Sequence, residues 1–176
     1  MHNDVVYFAH GKESGPWGTK ISRLAQVARE KGFAVESPDY SRTLDPDERV
    51  EMLLKLKPAA SRHLVLAGSS MGGYVSTIAS SRLKVKGLFL LAPAFFKTGY
   101  KHSVPTPYAA KVAIVHGRDD DVIPAENSIR FAQDHKAELY LLAGDHRLLD
   151  VLPQVEKIFA RFLDDILTPR RRRRTR

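Results

Sequence analysis

The chain has 176 residues, of which 43% are hydrophobic and 27% charged, and it contains no cysteine. That length suits one domain, and the composition excludes a disordered or fibrous chain. Without cysteine there is no disulfide framework, no thiolate metal site and no cysteine nucleophile. Six of the eight net positive charges come from Arg170 to Arg174 and Arg176, which leaves the body of the chain near neutral at +2. Residues 1–168 are therefore expected to form the domain, with no specific nucleic-acid face. Residues 169–176 are expected to be a disordered basic tail that binds polyanions weakly. No apolar run approaches the roughly 18 residues of a membrane span, and nothing at Met1 to Asp4 reads as a secretory leader. A cytoplasmic location is the expectation.

Short apolar, β-rich runs alternate with stretches of helical period, the pattern of βαβ units on a parallel sheet. The expected strands are Val5 to Ala9, Ala34 to Ser37, His63 to Ala67, Val85 to Leu91, Lys111 to His116 and Glu138 to Leu142. Leu64 to Ala67 and Leu88 to Leu91 lack polar alternation, as strands covered on both faces do. A first helix is expected over Thr19 to Lys31, with Ile21, Leu24, Ala25 and Ala28 on one face and Gly32 as its C-cap. Asp45 and Pro46 start a second helix that ends before Pro58. Further helices are expected over Ser70 to Arg82, Ala125 to His135 and Val151 to Leu167. The fold class is thus α/β, a doubly wound, mainly parallel six-stranded sheet with helices on both faces. Ligands of such sheets bind beyond the carboxyl ends of the strands.

Three of the loops at that edge carry chemistry. Gly68, Ser69, Ser70, Met71 and Gly72 fit G-x-S-x-G between a strand and a helix, a turn so tight that side chains at the glycine positions would strike its neighbours. Ser70 is then exposed above the sheet. A serine hydroxyl is a weak nucleophile and needs a general base, usually a histidine oriented by a carboxylate. Of the seven histidines, His146 lies in the loop after the last strand, at the correct edge. His2, His63 and His102 read as surface residues, and His135 lies at the wrong end of the sheet. The fifth strand runs into Asp119, Asp120 and Asp121, any of which has the right position for the acid.

These motifs resemble the α/β-hydrolase superfamily over nearly the whole chain, Val5 to Leu167, and most of all its small, lidless, single-domain bacterial esterases. Members commonly carry a His-Gly pair, two variable residues, the catalytic aspartate, two more residues, an apolar residue and proline. His116, Gly117, Asp120, Ile123 and Pro124 match that pattern, so the resemblance implies Asp120 as the acid. It also implies an oxyanion site made by the backbone N–H groups of Lys12, after the pair His10-Gly11, and of Met71. The implied activity is carboxylester hydrolysis through an acyl-enzyme, with Ser70, His146 and Asp120 as catalytic residues, a small-molecule ester or thioester as substrate and no cofactor. The same residues would serve a thioesterase, and the other class to weigh is a non-catalytic α/β-hydrolase scaffold used for binding. Only Ala92 to Ala110 separate the fourth and fifth strands, so a lid domain has no room there. Phe95, Phe96, Tyr100 and Tyr108 can make an aromatic loop, either as an acyl pocket or as packing on the core. No dinucleotide fingerprint, phosphate-binding loop or metal-ligand cluster occurs.

Overall fold

Along each central strand, alternate side chains point to opposite faces, and here both faces are apolar. Val6, Phe8, Val65, Ala67, Phe89, Leu91, Ala113 and Val115 fall in one buried cluster, Leu64, Leu66, Leu88, Leu90 and Ile114 in another. Such strands need helices above and below. The computed structural model describes residues 3–168 and supplies them. The expectations for His2 and the arginine tail lie outside the described residues.

In chain order the elements are β1 (Asp4–Ala9), α1 (Thr19–Glu30), β2 (Ala34–Glu36), α2 (Pro46–Lys55), β3 (His63–Ser69), α3 (Met71–Ala79), β4 (Val85–Leu91), β5 (Ala109–Gly117), α4 (Ala125–His135), β6 (Glu138–Leu142) and α5 (Leu152–Leu167). A 3₁₀ turn over Ser80–Arg82 follows α3. The sheet runs β2-β1-β3-β4-β5-β6, with every neighbouring pair parallel. Helices α1 and α5 cover the face that carries Phe8 and Phe89. Helices α2, α3 and α4 cover the other. The final helix clamps its face through aromatic rings: Phe159 and Phe162 sit 4.7 and 5.3 Å, ring to ring, from Phe89. This is the expected doubly wound α/β fold.

Local signals act as expected at two helix ends. Asp45 caps α2 by accepting hydrogen bonds from the N–H groups of Asp47 and Glu48, with Pro46 at the first helical position. After α1 the chain reverses at Gly32, φ +82°. There the N–H groups of Gly32 and Phe33 bond back to Arg29 and Ala28, a glycine-dependent stop. The differences from expectation are at element ends: the helix expected to reach Arg82 stops at Ala79 and gives way to the 3₁₀ turn. β3 extends through Gly68 and Ser69, because both pair with Leu90 and Leu91 of β4. β5 starts two residues earlier, and β2 shrinks to three residues at the sheet edge.

Strand order reverses direction between β1 and β3, so their carboxyl ends flank the crevice where doubly wound sheets bind ligands. Ala9 and Gly68 are register partners at that end. The loops after β1, β3, β5 and β6 all open on this edge.

Glycine matters differently at two places, which separates strain from collision. A Cβ at Gly72 would drive into the carbonyl group of Ala9, whereas one at Gly32 would meet open space. Gly32→Ala is expected to lose about 1 kcal/mol to the positive φ alone. Gly72→Ala is expected to lose more than about 3 kcal/mol, because backbone must move. Urea unfolding of both variants checks the order.

Candidate active site

Ser70 joins β3 to α3 with φ +53° and ψ −118°, a conformation costly for a residue with a side chain. The surroundings hold it there. Ser70 N–H donates to the carbonyl of Leu91, and its own carbonyl accepts from Gly73 and Ala94. Side chains at Gly68 and Gly72 would collide with the Gly72 backbone and with Ala9 respectively, and one at Gly73 with Pro93. Removing three side chains lets strand, turn and helix close around the serine, which stays partly exposed.

His146 sits in the loop after β6. On one side of it Asp145 accepts hydrogen bonds from the N–H groups of Arg147 and Leu148. On the other, Leu148, φ +58°, buries its side chain completely. The imidazole is thereby held with Nε2 3.1 Å from Ser70 Oγ and Nδ1 2.7 Å from Asp120 Oδ2. A carboxylate only accepts, so Nδ1 carries the proton and Nε2 is free to accept from the serine hydroxyl. The structure thus brings Ser70, His146 and Asp120 into one hydrogen-bonded line. Asp119 and Asp121 are exposed on either side of it. His63 is less of a surface residue than its position suggests: Nδ1 lies 2.7 Å from Asp4, and the side chain is 17% exposed.

The Asp120 carboxyl is fully buried and well supplied with donors. Oδ1 accepts from the N–H groups of Val122 (2.9 Å) and Ile123 (2.8 Å), and Oδ2 from His146, with His116 Nε2 3.0 Å away. Burial alone would raise its pKa. The Ile123 N–H, His146 and the Val122 N–H outweigh burial and hold it below the usual carboxylate range. Ionised, buried and three times hydrogen-bonded, it has one orientation.

His116 was visible in the sequence only as part of a pattern, and its contacts give it a place in this network. It is completely buried. Nε2 also lies 3.0 Å from the carbonyl of Ile123, and Nδ1 lies 2.7 Å from Ser128 Oγ. The carbonyl fixes the proton on Nε2, so the Ser128 hydroxyl donates to Nδ1. Burial, its largest influence, brings the His116 pKa below the ordinary histidine value, against the pull of Ile123 and Asp120.

Lys12 and Met71 both line an open cavity of about 1060 Å³ that also reaches Ser70, His146, Lys20 and Tyr100. Met71 opens α3, so its N–H has no acceptor within the helix. The Lys12 loop is ordered from behind by His10, whose Nδ1–H donates to Gly11 while Nε2 accepts from the N–H of Tyr40. Of the aromatic loop only Tyr100 reaches the cavity, edge-on to Tyr74 at 4.7 Å. Phe95 is core, stacked on Phe131, and Phe96 lies under Arg130. Lys20 on α1 extends Nζ to 3.5 Å from the His146 carbonyl. Burial pushes its pKa down to about 8, with Asp120 and Asp145 opposing the fall. Among the described residues no cluster of three or more His, Asp or Glu could hold a metal ion. No described helix is long and apolar enough to cross a membrane.

Arg49 escaped the sequence reading altogether, although its spacing carried a signal. It shares the buried stripe of α2 with Pro46, Val50 and Leu53, offsets of three and four residues that place it facing inward.

Comparison with known proteins places the chain by family and fold. Residues 5–103 match the uncharacterised protein family UPF0227, while no curated protein sequence matches the chain. Among solved structures the chain is similar to a candidate hydrolase of the α/β superfamily from Xanthomonas campestris pv. campestris. The two share 34% identity over 93% of this chain and 99% of the other, with a TM-score of 0.82. At lower identity the fold also matches Est1E from Butyrivibrio proteoclasticus (17% identity, 94% and 89% of the two chains, TM-score 0.77). It likewise matches an esterase from Pyrococcus furiosus (19%, 93% and 83%, TM-score 0.68). The chain belongs to the uncharacterised protein family UPF0227, and it is a hydrolase of the α/β superfamily.

Proposed function

We propose that the protein is a serine carboxylester hydrolase that works through an acyl-enzyme. The observation that carries this reading is the unbroken line from Ser70 Oγ through His146 to Asp120, opening on the cavity at the switch point of the sheet. Ser70 Oγ attacks the ester carbonyl carbon while His146 Nε2 takes the hydroxyl proton. The resulting oxyanion is held by the N–H groups of Lys12 and Met71. The C–O bond to the alcohol then breaks, His146 hands its proton to the departing oxygen, and an acyl-Ser70 is left. Water attacks that ester, gives its proton to His146, and the acid leaves as the proton returns to Ser70. Asp120 keeps the imidazole in the tautomer the first step needs and stabilises the imidazolium once formed. Each step balances in atoms and charge with these residues and water.

Residues 92–108 form only a loop between β4 and β5, so the nucleophile is open without a moving cover. Hydrolysis of soluble aryl esters is expected to fall as the acyl chain lengthens and to show no jump when the substrate forms an emulsion. Initial rates across a series of 4-nitrophenyl esters check this, and a clear preference for emulsified long chains would overturn it.

The acid is tested against its exposed neighbours. Asp120→Asn is expected to lower kcat by about 10⁴-fold, because an amide favours the wrong imidazole tautomer while preserving shape. Asp119→Asn and Asp121→Asn should each stay within about tenfold. Ser70→Ala and His146→Ala should each cost at least as much as Asp120→Asn, and the double variant little more, since the three act as a unit. Steady-state kinetics decides: equal effects for the three aspartates would sink the assignment.

A further inference from the structure

Among the described residues, the largest fully buried side chain is a cation. Arg49 has no exposed surface, and among the described residues no carboxylate pairs with it; Asp39 acts on it only at longer range. A guanidinium stays protonated at any relevant pH. Burying such a charge without a counter-ion is costly, and its placement says what it does. The four hydrogen bonds it makes all end on main-chain carbonyls: Nε on Thr43 at 2.9 Å, Nη1 on Gly11 at 3.0 Å and His10 at 3.4 Å, and Nη2 on Lys12 at 3.4 Å. Three of the four carbonyls belong to the loop after β1.

The Gly11 carbonyl and the Lys12 N–H are two ends of one peptide unit and, in a trans peptide, point in opposite directions. The Gly11 oxygen is gripped twice from the interior, by Arg49 Nη1 and by His10 Nδ1 at 2.8 Å. Fixing the oxygen inward fixes the N–H outward, toward the cavity that Lys12 shares with Ser70 and Met71. Hydrogen bonds in series also polarise one another, so a carbonyl bonded to a cation makes its own N–H a stronger donor.

We propose that Arg49 is the positioning residue of the oxyanion site. It clamps the Gly11–Lys12 peptide with its N–H toward Ser70 and keeps an unpaired positive charge behind that donor, where negative charge develops in the reaction. The role rests on the serine-hydrolase reading given above. Arg49 touches no substrate and acts only through the loop. The unpaired charge makes sense on this account: a carboxylate partner would cancel the field that the developing oxyanion meets, and electrostatic stabilisation at such sites is among the largest catalytic contributions.

The test compares wild type with Arg49→Met, which removes charge and fork, and Arg49→Lys, which keeps charge and loses the fork. Competent sites are counted by stoichiometric titration with a fluorophosphonate, so that loss of folded protein is separated from loss of rate. Per titrated site, Arg49→Met is expected to lower kcat on a short aryl ester about 100-fold with KM within about threefold, and Arg49→Lys to fall between it and wild type. The inhibition constant of a trifluoromethyl ketone, which forms a tetrahedral oxyanion adduct on a serine, should rise by the same factor as kcat/KM falls. A folded Arg49→Met with kcat per site within threefold of wild type overturns the proposal, as does a loss carried by KM alone. If Arg49→Met does not fold, Arg49→Lys decides by the same criteria. A wild type that hydrolyses no ester and is not titrated overturns the serine-hydrolase reading itself, whereas an active wild type with indifferent variants overturns only the role of Arg49.

Discussion

The missing side chain at residue 72 is the constraint on which the active edge depends. Only glycine lets the first turn of α3 lie against Ala9, at the end of β1, and that contact fixes the loop after β1 beside the loop after β3. The positive φ of Ser70 follows from the same closeness, since the strand must reverse into a helix within one residue. Everything else is built outward from this junction. The sheet sets β5 and β6 at increasing distance, and their loops return across its carboxyl edge with Asp120 and His146.

Charge at that edge is arranged with unusual economy. Asp120 is buried but accepts hydrogen bonds from two main-chain N–H groups and an imidazole, so it needs no cation to stay ionised. Among the cations near that edge, Lys20 at the cavity wall and Arg49 behind the loop after β1 are desolvated and have no carboxylate partner among the described residues. The buried negative charge thus lies behind His146 and the fully buried positive charge behind the loop after β1, while Asp119 and Asp121 face solvent. Both facts concern desolvated groups, where electrostatic effects exceed their values in water.

The fold was legible because a parallel sheet writes itself into local sequence. Leu64 to Ala67 and Leu88 to Leu91 are apolar without alternation, Asp45-Pro46 marks a helix start, and Gly32 marks a helix end. Strand ends were less legible, since the pairing of Gly68 and Ser69 with β4 is a tertiary event in residues that locally favour turns. Ser70 and His146 could be singled out because a tight turn forces its glycines and the strand edge fixes the order of loops, whereas the choice of Asp120 over Asp119 and Asp121 rested on the family resemblance alone. His116 and Arg49 could not be read for their roles. Each is ordinary in local context, one ending a strand and one inside a charged helix, and each acquires its meaning from main-chain groups distant in sequence. Helical spacing could have placed Arg49 inward, but a charged residue facing a core acquires a meaning only when its acceptors are known.

The most direct test of the account is covalent capture of the nucleophile. The folded protein is reacted with a fluorophosphonate and digested with trypsin, and the modified peptide is identified by mass spectrometry. The account predicts a single adduct on Ser70, in the peptide that runs from His63 to Arg82, and none when His146 is replaced by alanine over the same reaction time. An unmodified Ser70 in folded wild type, or an adduct on another serine, would contradict it.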